Sequence, residues 1–312
     1  MGGWIAENGL GADDCYSASS FAIVAKQFQG EMKARIRSLI THLAHQYGYQ
    51  LVPDPTFQKL VRDSELVAAQ PTLLFQVEPT FQSAYSKGLE VSGTKESGQF
   101  VAFKRQNRFY NLMAIHRWVS HLPGWQAECG CWKGLSSYML NHQSKRMNST
   151  HDGSGFVVVD SFEGLSEPTP EDREIYGRIP NPIAGKYARA GKYKSTQEAV
   201  RKTLSEFPGI EYFQGWIPEI LTHLPERTYS FVHIDLDLHD PIRGAIDYFF
   251  PRLVPGGVLV LDDYGSIGWP GAMKAGDEGA AACGETLLPL SSGQAILVRR
   301  SASTIQPATP QN

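Results

Sequence analysis

Carboxylates end several short apolar runs of this 312-residue chain, and that arrangement could support chemistry. Glu128, Asp160, Asp235 and the pair Asp262–Asp263 each stand at the end of such a run, and segments with a helical pattern separate the runs. The carboxyl ends of parallel strands lie at one edge of a sheet, where folds of this type bind their ligands. We therefore predict that these acidic side chains are gathered at one edge of a parallel sheet.

The two acidic pairs, Asp235-Leu236-Asp237 and Asp262-Asp263, predict a metal site. Carboxylates that converge repel one another, which raises their pKa values. A hard divalent cation such as Mg²⁺ relieves this repulsion, because it prefers oxygen ligands and keeps room for water or substrate oxygens. Such a cation can also acidify a coordinated hydroxyl. The alternative is that these carboxylates are solvated side chains that cap turns.

A glycine-containing loop, Glu128-Cys-Gly130-Cys-Trp-Lys-Gly134, follows the first predicted strand. Glycines there allow the backbone to approach a nucleotide-like ligand, although the spacing is not that of dinucleotide folds. A carboxylate at the start of the loop suits a cationic ligand group better than a phosphate. Asp160 lies one crossover later, where an acidic residue can bind a ribose diol, and its alternative role is to cap the following turn.

The elements that must hold these residues alternate between strand and helix from about residue 101 to 300. Continuous Val, Ile and Leu runs separated by helices indicate an α/β fold with a mostly parallel sheet covered on both faces. The last two strands, 286–290 and 294–298, form an antiparallel hairpin. One helix is predicted over 109–120, and a second begins at a capping box that starts with Ser195. A third has Asp240 as its N-cap and Pro241 as its first helical residue.

Two further regions flank this domain. Residues 1–100 are predicted to be a mainly helical N-terminal extension with a helix over 32–47, and residues 301–312 a flexible tail. The extension packs on the main domain or on another subunit, or it is a solvated appendage.

Composition excludes several classes of protein. With 42% hydrophobic and 20% charged residues, the chain is not disordered throughout. A net charge of -3 predicts no nucleic-acid or anionic-membrane partner, and the longest apolar runs are strand-sized. Four scattered cysteines predict neither a disulfide framework nor a zinc site, and no secretory signal is evident, so a cytoplasmic location is expected.

Several motifs together resemble the macrocin (TylF-type) O-methyltransferase family over residues 105–300. They are Asp160-Ser161-Phe162-Glu163-Gly164-Leu165, Gly215-Trp216, Asp235-Leu236-Asp237-Leu238, Pro255-Gly256-Gly257 and Asp262-Asp263-Tyr264-Gly265. The family comprises class I enzymes that use S-adenosylmethionine (SAM) and methylate sugar hydroxyls of natural products with Mg²⁺. The resemblance implies a Rossmann-like, seven-stranded methyltransferase domain and a homo-oligomer.

The resemblance also implies roles for individual residues. The loop Glu128–Gly134 would hold the methionine part of SAM, Asp160 its ribose, and Gly215-Trp216 would lie near its adenine. Asp235, Asp262 and Asp263 would ligate the metal. The full predicted SAM site comprises Glu128, Gly130, Gly134, Ser136, Asp160, Ser161, Gly215, Trp216 and Asp235.

Methyl transfer from SAM requires that the acceptor oxygen be positioned and its proton removed. Asp237, outside the implied metal trio, is the first candidate for the proton acceptor and His239 the second. The family usually has a tyrosine where this chain has His239, which could instead be a packed or capping residue. The loop 167–194, rich in tyrosine and basic residues, is either a lid over the acceptor or a solvated insertion.

Other functions stay open at this point. The acceptor could be a sugar, a catechol-like phenol or a polyketide hydroxyl. Asp235-Leu236-Asp237 could instead be the manganese and nucleotide-sugar site of a glycosyltransferase, although this leaves the glycine loop unused. The fold could also serve as a non-catalytic binding module.

Overall fold

The protein is described from a computed structural model over residues 74–96, 99–175, 179–180, 188–266 and 268–300. Nine strands are present in these ranges, and seven of them form one sheet while β3 and β4 pair separately. The strands are β1 (Trp125–Cys129), β2 (Phe156–Asp160), β3 (Glu174–Ile175), β4 (Ile179–Pro180), β5 (Glu211–Gln214), β6 (Tyr229–Ile234), β7 (Leu253–Leu261), β8 (Leu288–Pro289) and β9 (Ala295–Val298).

The seven-stranded sheet has the order β5-β2-β1-β6-β7-β9-β8. Its first five strands are parallel, β9 is antiparallel to β7, and β8 is antiparallel to β9. The predicted fold class, a Rossmann-like and mostly parallel seven-stranded sheet with a C-terminal antiparallel hairpin, is therefore confirmed.

Seven α-helices are present in the described ranges. They are α1 (Leu74–Val77), α2 (Pro79–Ser92), α3 (Gln99–Val119), α4 (Leu135–Met147), α5 (Gln197–Thr203), α6 (His239–Phe249) and α7 (Pro270–Ala282). Of these, α3, α4 and α5 cover one face of this sheet, and α6 and α7 cover the other. None of the helices in the described ranges combines the length and apolarity needed to cross a membrane.

Alternate residues of each central strand enter two separate apolar cores. Val157 and Val159 of β2 face the core that contains α6 and α7, whereas Phe156 and Val158 face the core that contains α3, α4 and α5. Strands buried on both faces need apolar side chains at every position, which explains the continuous Val, Ile and Leu runs. The two cores hold the sheet rigid, so that its carboxyl edge is a fixed platform.

Several predicted boundaries are wrong by a few residues. Helix α3 begins at Gln99 instead of Phe109, because its first turns carry the polar run Lys104–Arg108, which hides the helical pattern. Thr196, not Ser195, is the N-cap of α5, since its hydroxyl accepts a hydrogen bond from the Ala199 N–H at 3.2 Å. The predicted helix over 32–47 and the tail 301–312 lie outside the described residues.

The N-terminus of α6 also differs from its prediction. The helix begins at His239 with Leu238 as N-cap, so Asp240 lies inside the first turn instead of capping it. The capping oxygen comes from elsewhere in the chain: the His239 N–H donates to Asp172 Oδ1 at 2.8 Å. Asp172 is buried at the end of a 3₁₀ turn (Pro170–Asp172), where its Oδ2 also accepts from the Thr169 N–H. A loop 67 residues away in sequence therefore supplies the cap.

This corrected cap can be tested by two substitutions. Asp172→Ala should lower the free energy of unfolding by about 1–2 kcal/mol, because it leaves two backbone N–H groups without their acceptor. Asp240→Ala should cost less than about 0.5 kcal/mol, because that side chain is exposed and its ion pair is with the adjacent His239. Urea denaturation measures both, and a larger effect at Asp240 would contradict the assignment.

Candidate active site at the carboxyl edge of the sheet

The acidic residues after β6 and β7 lie side by side because the strands end in register. Cys129 pairs with Ile234, and Ile234 pairs with Leu261, so β1, β6 and β7 end at the same level. The next backbone groups continue the ladder: the Asp235 N–H donates to the Cys129 carbonyl at 2.8 Å and the Asp262 N–H to the Ile234 carbonyl at 3.0 Å. The register of apolar strands thus places the two acidic pairs together, as predicted.

Carboxylate oxygens form the centre of the site. One oxygen each from Asp235, Asp237 and Asp263 lies within 4.8 Å of the others, and Asp235 also belongs to a second group with His233 and Asp262. Asp237 adopts a left-handed φ of 61°, a conformation that is uncommon for a residue with a side chain. The predicted metal trio of Asp235, Asp262 and Asp263 is therefore divided between two overlapping groups, and Asp237 joins the first of them. We call Asp235, Asp237, Asp262 and Asp263 the acidic cluster.

Burial and mutual repulsion control the protonation of the acidic cluster. Burial, with a further contribution from the charge of Asp263, raises the pKa of Asp235 to about 7. The pKa of Asp237 is raised well above its ordinary value by burial and then by the charges of Asp263 and Asp235. Burial would also raise the pKa of Asp263, but the Arg108 guanidinium and hydrogen bonds hold it below its usual value. The cluster therefore holds more negative charge than its surroundings can stabilise.

Arg108 is a site residue that the sequence analysis missed. Its Nη2 donates to Asp263 Oδ1 and to the Asp262 carbonyl oxygen, both at 3.0 Å, and it also forms an ion pair with the Asp262 carboxylate. The residue lies on α3, in the part of the helix that the prediction left out. Its local sequence gave no signal, because 154 residues separate it from Asp262.

A buried polar chain runs beneath the acidic cluster. The Ser137 hydroxyl donates to Glu128, and Glu128 Oε1 lies 2.8 Å from His233 Nδ1. His233 Nε2 lies 3.4 Å from Asp262 Oδ1, which also accepts a hydrogen bond from Gln294 Nε2 at 2.7 Å. Gln294 thus holds the Asp262 carboxylate by a hydrogen bond, and His233 Nε2 lies close to the same oxygen without a hydrogen bond. A histidine within an otherwise apolar strand was the available sequence signal for His233.

Glu128 belongs to this chain and has no solvent-exposed surface. Both of its carboxylate oxygens are occupied, by Ser137 and by His233. The sequence analysis expected Glu128 to contact the methionine part of SAM, whereas in the structure both of its oxygens already have partners inside the protein. Glu128 orients His233 in this arrangement.

The glycine loop is pressed against the backbone that carries the acidic cluster. Gly130 has a φ of 82°, and a Cβ atom there would lie 1.9 Å from the Asp235 carbonyl oxygen. Gly134, with a φ of 79°, is the N-cap of α4, and Ser136 is buried in the first turn of that helix. Close packing of backbone on backbone therefore accounts for Gly130, and it brings the loop into direct contact with Asp235.

Asp160 and Ser161 shape the turns next to this loop. The two oxygens of Asp160 accept hydrogen bonds from the Cys131 and Phe162 N–H groups, each at 2.7 Å. The Ser161 hydroxyl donates to the Gly164 carbonyl at 2.9 Å and accepts from the Glu163 N–H at 3.1 Å. Asp160 is half-buried, and each of its oxygens keeps a lone pair, so it can still accept from a ligand hydroxyl. The ribose contact stays a prediction.

Gly215 and Trp216 lie on an open cavity of about 1020 Å³. The cavity extends from the end of β5 to the start of α6 and the segment Ser166–Asp172. Trp216 is 43% exposed, so much of its indole ring is free to stack on a planar ligand. The position suits the adenine contact predicted from the sequence.

His239 does not join the acidic cluster. Its Nδ1 lies 2.7 Å from Asp240 Oδ1 and its Nε2 lies 3.0 Å from Glu278 Oε2 on α7. Both ring nitrogens are therefore engaged with partners outside the cluster. The structure favours the packed, capping alternative for His239 over a role as proton acceptor.

The described part of the 167–194 loop ends in an aromatic group. Tyr193 packs edge-on against Trp132 of the glycine loop, with ring centroids 5.6 Å apart, and lies 6.4 Å from Trp269. The Lys192 ammonium lies over the Tyr193 and Trp269 rings. Tyr176, Arg178, Lys186 and Tyr187, named in the lid prediction, lie outside the described residues. The end of the loop is thus joined to the glycine loop.

Comparison with known proteins identifies the class of fold first. The chain resembles the solved structure of the calicheamicin methyltransferase CalS11 with a TM-score of 0.52 and 18% identity, covering 70% of this chain and 93% of that one. The fold is therefore that of the Rossmann-like O-methyltransferases. The family model described as macrocin-O-methyltransferase (TylF) matches residues 93–278, so the chain belongs to this family.

Two curated relatives act on natural products, by their names. A tetracenomycin-C 4'-O-methyltransferase of Streptomyces olivaceus, whose named substrate carries a dimethoxy-rhamnosyl group, is 28% identical over 152 residues. The match covers 46% of this chain and 54% of that relative, so the chain spans about half of the relative's length. The mycinamicin III 3''-O-methyltransferase of Micromonospora griseorubida is 22% identical over 188 residues, covering 56% of this chain and 71% of that one.

The contact between Gly130 and Asp235 generates a matched pair of substitutions. Gly130→Ala should lower the free energy of unfolding by more than about 3 kcal/mol, because its Cβ would overlap the Asp235 carbonyl oxygen. Gly155→Ala has a similar φ of 86° but open space around it, so it should cost only the backbone strain of about 1–2 kcal/mol. Equal losses in denaturant unfolding would show that the close approach does not matter.

Proposed function

We propose that this protein is a SAM-dependent O-methyltransferase that acts on a hydroxyl of a natural-product sugar with the help of a divalent cation. Family membership and the named activities of the relatives support methyl transfer to oxygen. The observation that carries the proposal is the acidic cluster beside a glycine loop at the carboxyl edge of the sheet. Family membership favours this function over the glycosyltransferase and the non-catalytic module.

The residues of the acidic cluster fit a hard divalent cation. Asp235, Asp237 and Asp263 offer only oxygen ligands within 4.8 Å of one another, which is the donor type that Mg²⁺ prefers. Asp263 is 4% exposed, and its Oδ2 has no hydrogen-bond partner among the described residues. A buried carboxylate oxygen without a donor is costly, and a cation removes that cost. Burial and the neighbouring negative charges also raise the pKa values of Asp235 and Asp237, and a bound cation would lower these values again.

Each part of the site has a role in the proposed reaction. Asp235, Asp237 and Asp263 would hold the cation, which, when bound, supplies Lewis acidity to the acceptor oxygen. The glycine loop, Asp160 and the cavity wall at Gly215-Trp216 would bind SAM. These elements would orient the methyl group toward the acceptor, and orientation is the main requirement of an already activated donor.

Asp237 is the candidate that accepts the proton of the hydroxyl. A carboxylate has two oxygens, so one oxygen of Asp237 could contact the cation while the other accepts the proton of the hydroxyl. Asp237 is also 9% exposed and belongs to the trio of carboxylates, which places it next to the expected position of the acceptor oxygen. Asp237 would therefore combine the roles of ligand and base, whereas the sequence analysis separated them.

The base assignment predicts that Asp237→Asn abolishes turnover while the protein still binds SAM. Methyl transfer, measured with SAM carrying a labelled methyl group, should fall at least 10²-fold. The Kd for S-adenosylhomocysteine, measured by calorimetry, should stay within about threefold. Asp247→Asn, on the exposed face of α6, is the control and should leave both values unchanged. Near-normal turnover in Asp237→Asn would remove this residue from the mechanism.

The substrate class and the cation are tested together on a panel of acceptors. Deoxysugars attached to a polyketide or a nucleotide should be methylated, whereas simple phenols should not. Excess chelator should abolish this methylation, and added Mg²⁺ should restore it. Full activity in chelator would disprove the cation but not methyl transfer, and a preference for phenols would overturn the sugar substrate. The homo-oligomer expected from the resemblance is a further proposal, which light scattering can test.

A further inference from the structure

Arg108 connects helix α3 to Asp263, a proposed ligand of the cation, and to its neighbour Asp262. A single guanidinium nitrogen contacts the Asp262 carboxylate, the Asp262 carbonyl oxygen and Asp263 Oδ1. The Arg108 side chain is 27% exposed, so part of it is accessible to solvent. The proposed function gives this residue no role.

The two oxygens of Asp263 have different environments. Oδ1 accepts a hydrogen bond from Arg108, whereas Oδ2 is buried and has no donor among the described residues. Since Asp263 belongs to the trio with Asp235 and Asp237, one of its oxygens is held by Arg108 while the other is available to a cation. The Asp262 carboxylate contacts Arg108 and Gln294, and His233 Nε2 lies 3.4 Å from its Oδ1.

We propose that Arg108 is the internal counter-ion of the acidic cluster: it holds Asp262 and Asp263 in place without a divalent cation, and it moves away from Asp263 when that cation binds to Asp235, Asp237 and Asp263. Arg108 is thus a positioning residue that also competes with the cation. The proposal rests on the cation site of the proposed function.

The expected effect of Arg108 follows from its charge. A guanidinium in contact with the ligand carboxylates repels a divalent cation held by the same groups, and this repulsion is strong where water is scarce. Removing the positive charge should therefore tighten cation binding. It should also leave the buried carboxylates without their partner, so the protein without a cation should become less stable.

The first experiment measures Mn²⁺ binding, with free Mn²⁺ observed by electron paramagnetic resonance. Arg108→Gln should lower the Kd for Mn²⁺ at least tenfold relative to the wild type. Arg108→Lys keeps the positive charge and should stay within threefold of the wild type. Arg117→Gln, an exposed position in the last turn of the same helix, is the control and should not change the Kd.

The second experiment uses the wild-type protein and does not depend on a variant that folds. Phenylglyoxal modifies accessible arginines, and mass spectrometry of chymotryptic peptides reports the rate at each position. Saturating Mn²⁺ should raise the rate of modification at Arg108 at least threefold. The rate at Arg117 should stay constant.

The outcomes separate this proposal from the cation site itself. If the wild type does not bind Mn²⁺, the cation site and the role of Arg108 are both wrong. If the wild type binds Mn²⁺, but the affinity of Arg108→Gln is unchanged or weaker, the cation site stands and the role of Arg108 is overturned. An Arg108 modification rate that stays constant or falls upon Mn²⁺ addition likewise overturns its displacement, including in the case where Arg108→Gln fails to fold.

Discussion

Repulsion between carboxylates at the ends of β6 and β7 is the constraint on which the site depends. The register of β6 and β7 places Asp235, Asp237, Asp262 and Asp263 next to one another where the strands end. The protein compensates in two ways. Arg108 adds a positive charge from outside the sheet, and the raised pKa values of Asp235 and Asp237 reduce the negative charge from within. Neither of these two effects neutralises the cluster fully, and the remaining negative charge suits a divalent cation.

The strand ends could be predicted from the sequence because their signal is local. An apolar run followed by a carboxylate is visible within six residues, and the order of such runs gave the parallel sheet and its acidic edge. Arg108 could not be predicted in this way, since its partners depend on how α3 packs against the sheet. The predicted start of α6 was wrong for the same reason. Asp240 is of a residue type that often caps helices, but the fold brings the distant Asp172 to the helix N-terminus instead.

Glu128 shows a different limit of sequence reasoning. Its place at the end of β1 was predicted correctly, but its residue type indicated a contact with a ligand, whereas its carboxylate is satisfied by Ser137 and His233 inside the protein. An acidic residue at a strand end can therefore support the active site from below. The chain from Ser137 to Asp262 fixes one side of the acidic cluster, and Arg108 fixes the other.

The cap of α6 limits how the loop beside the cavity can be redesigned. Asp172 lines the open cavity, and it also caps the N-terminus of α6, the helix that follows the Asp235-Leu236-Asp237 segment. A redesign of the segment Ser166–Asp172 that removes this carboxylate would leave the His239 and Thr169 N–H groups without their acceptor. The shape of the cavity and the start of α6 thus depend on the same side chain, and a library that diversifies this segment should keep Asp172 constant.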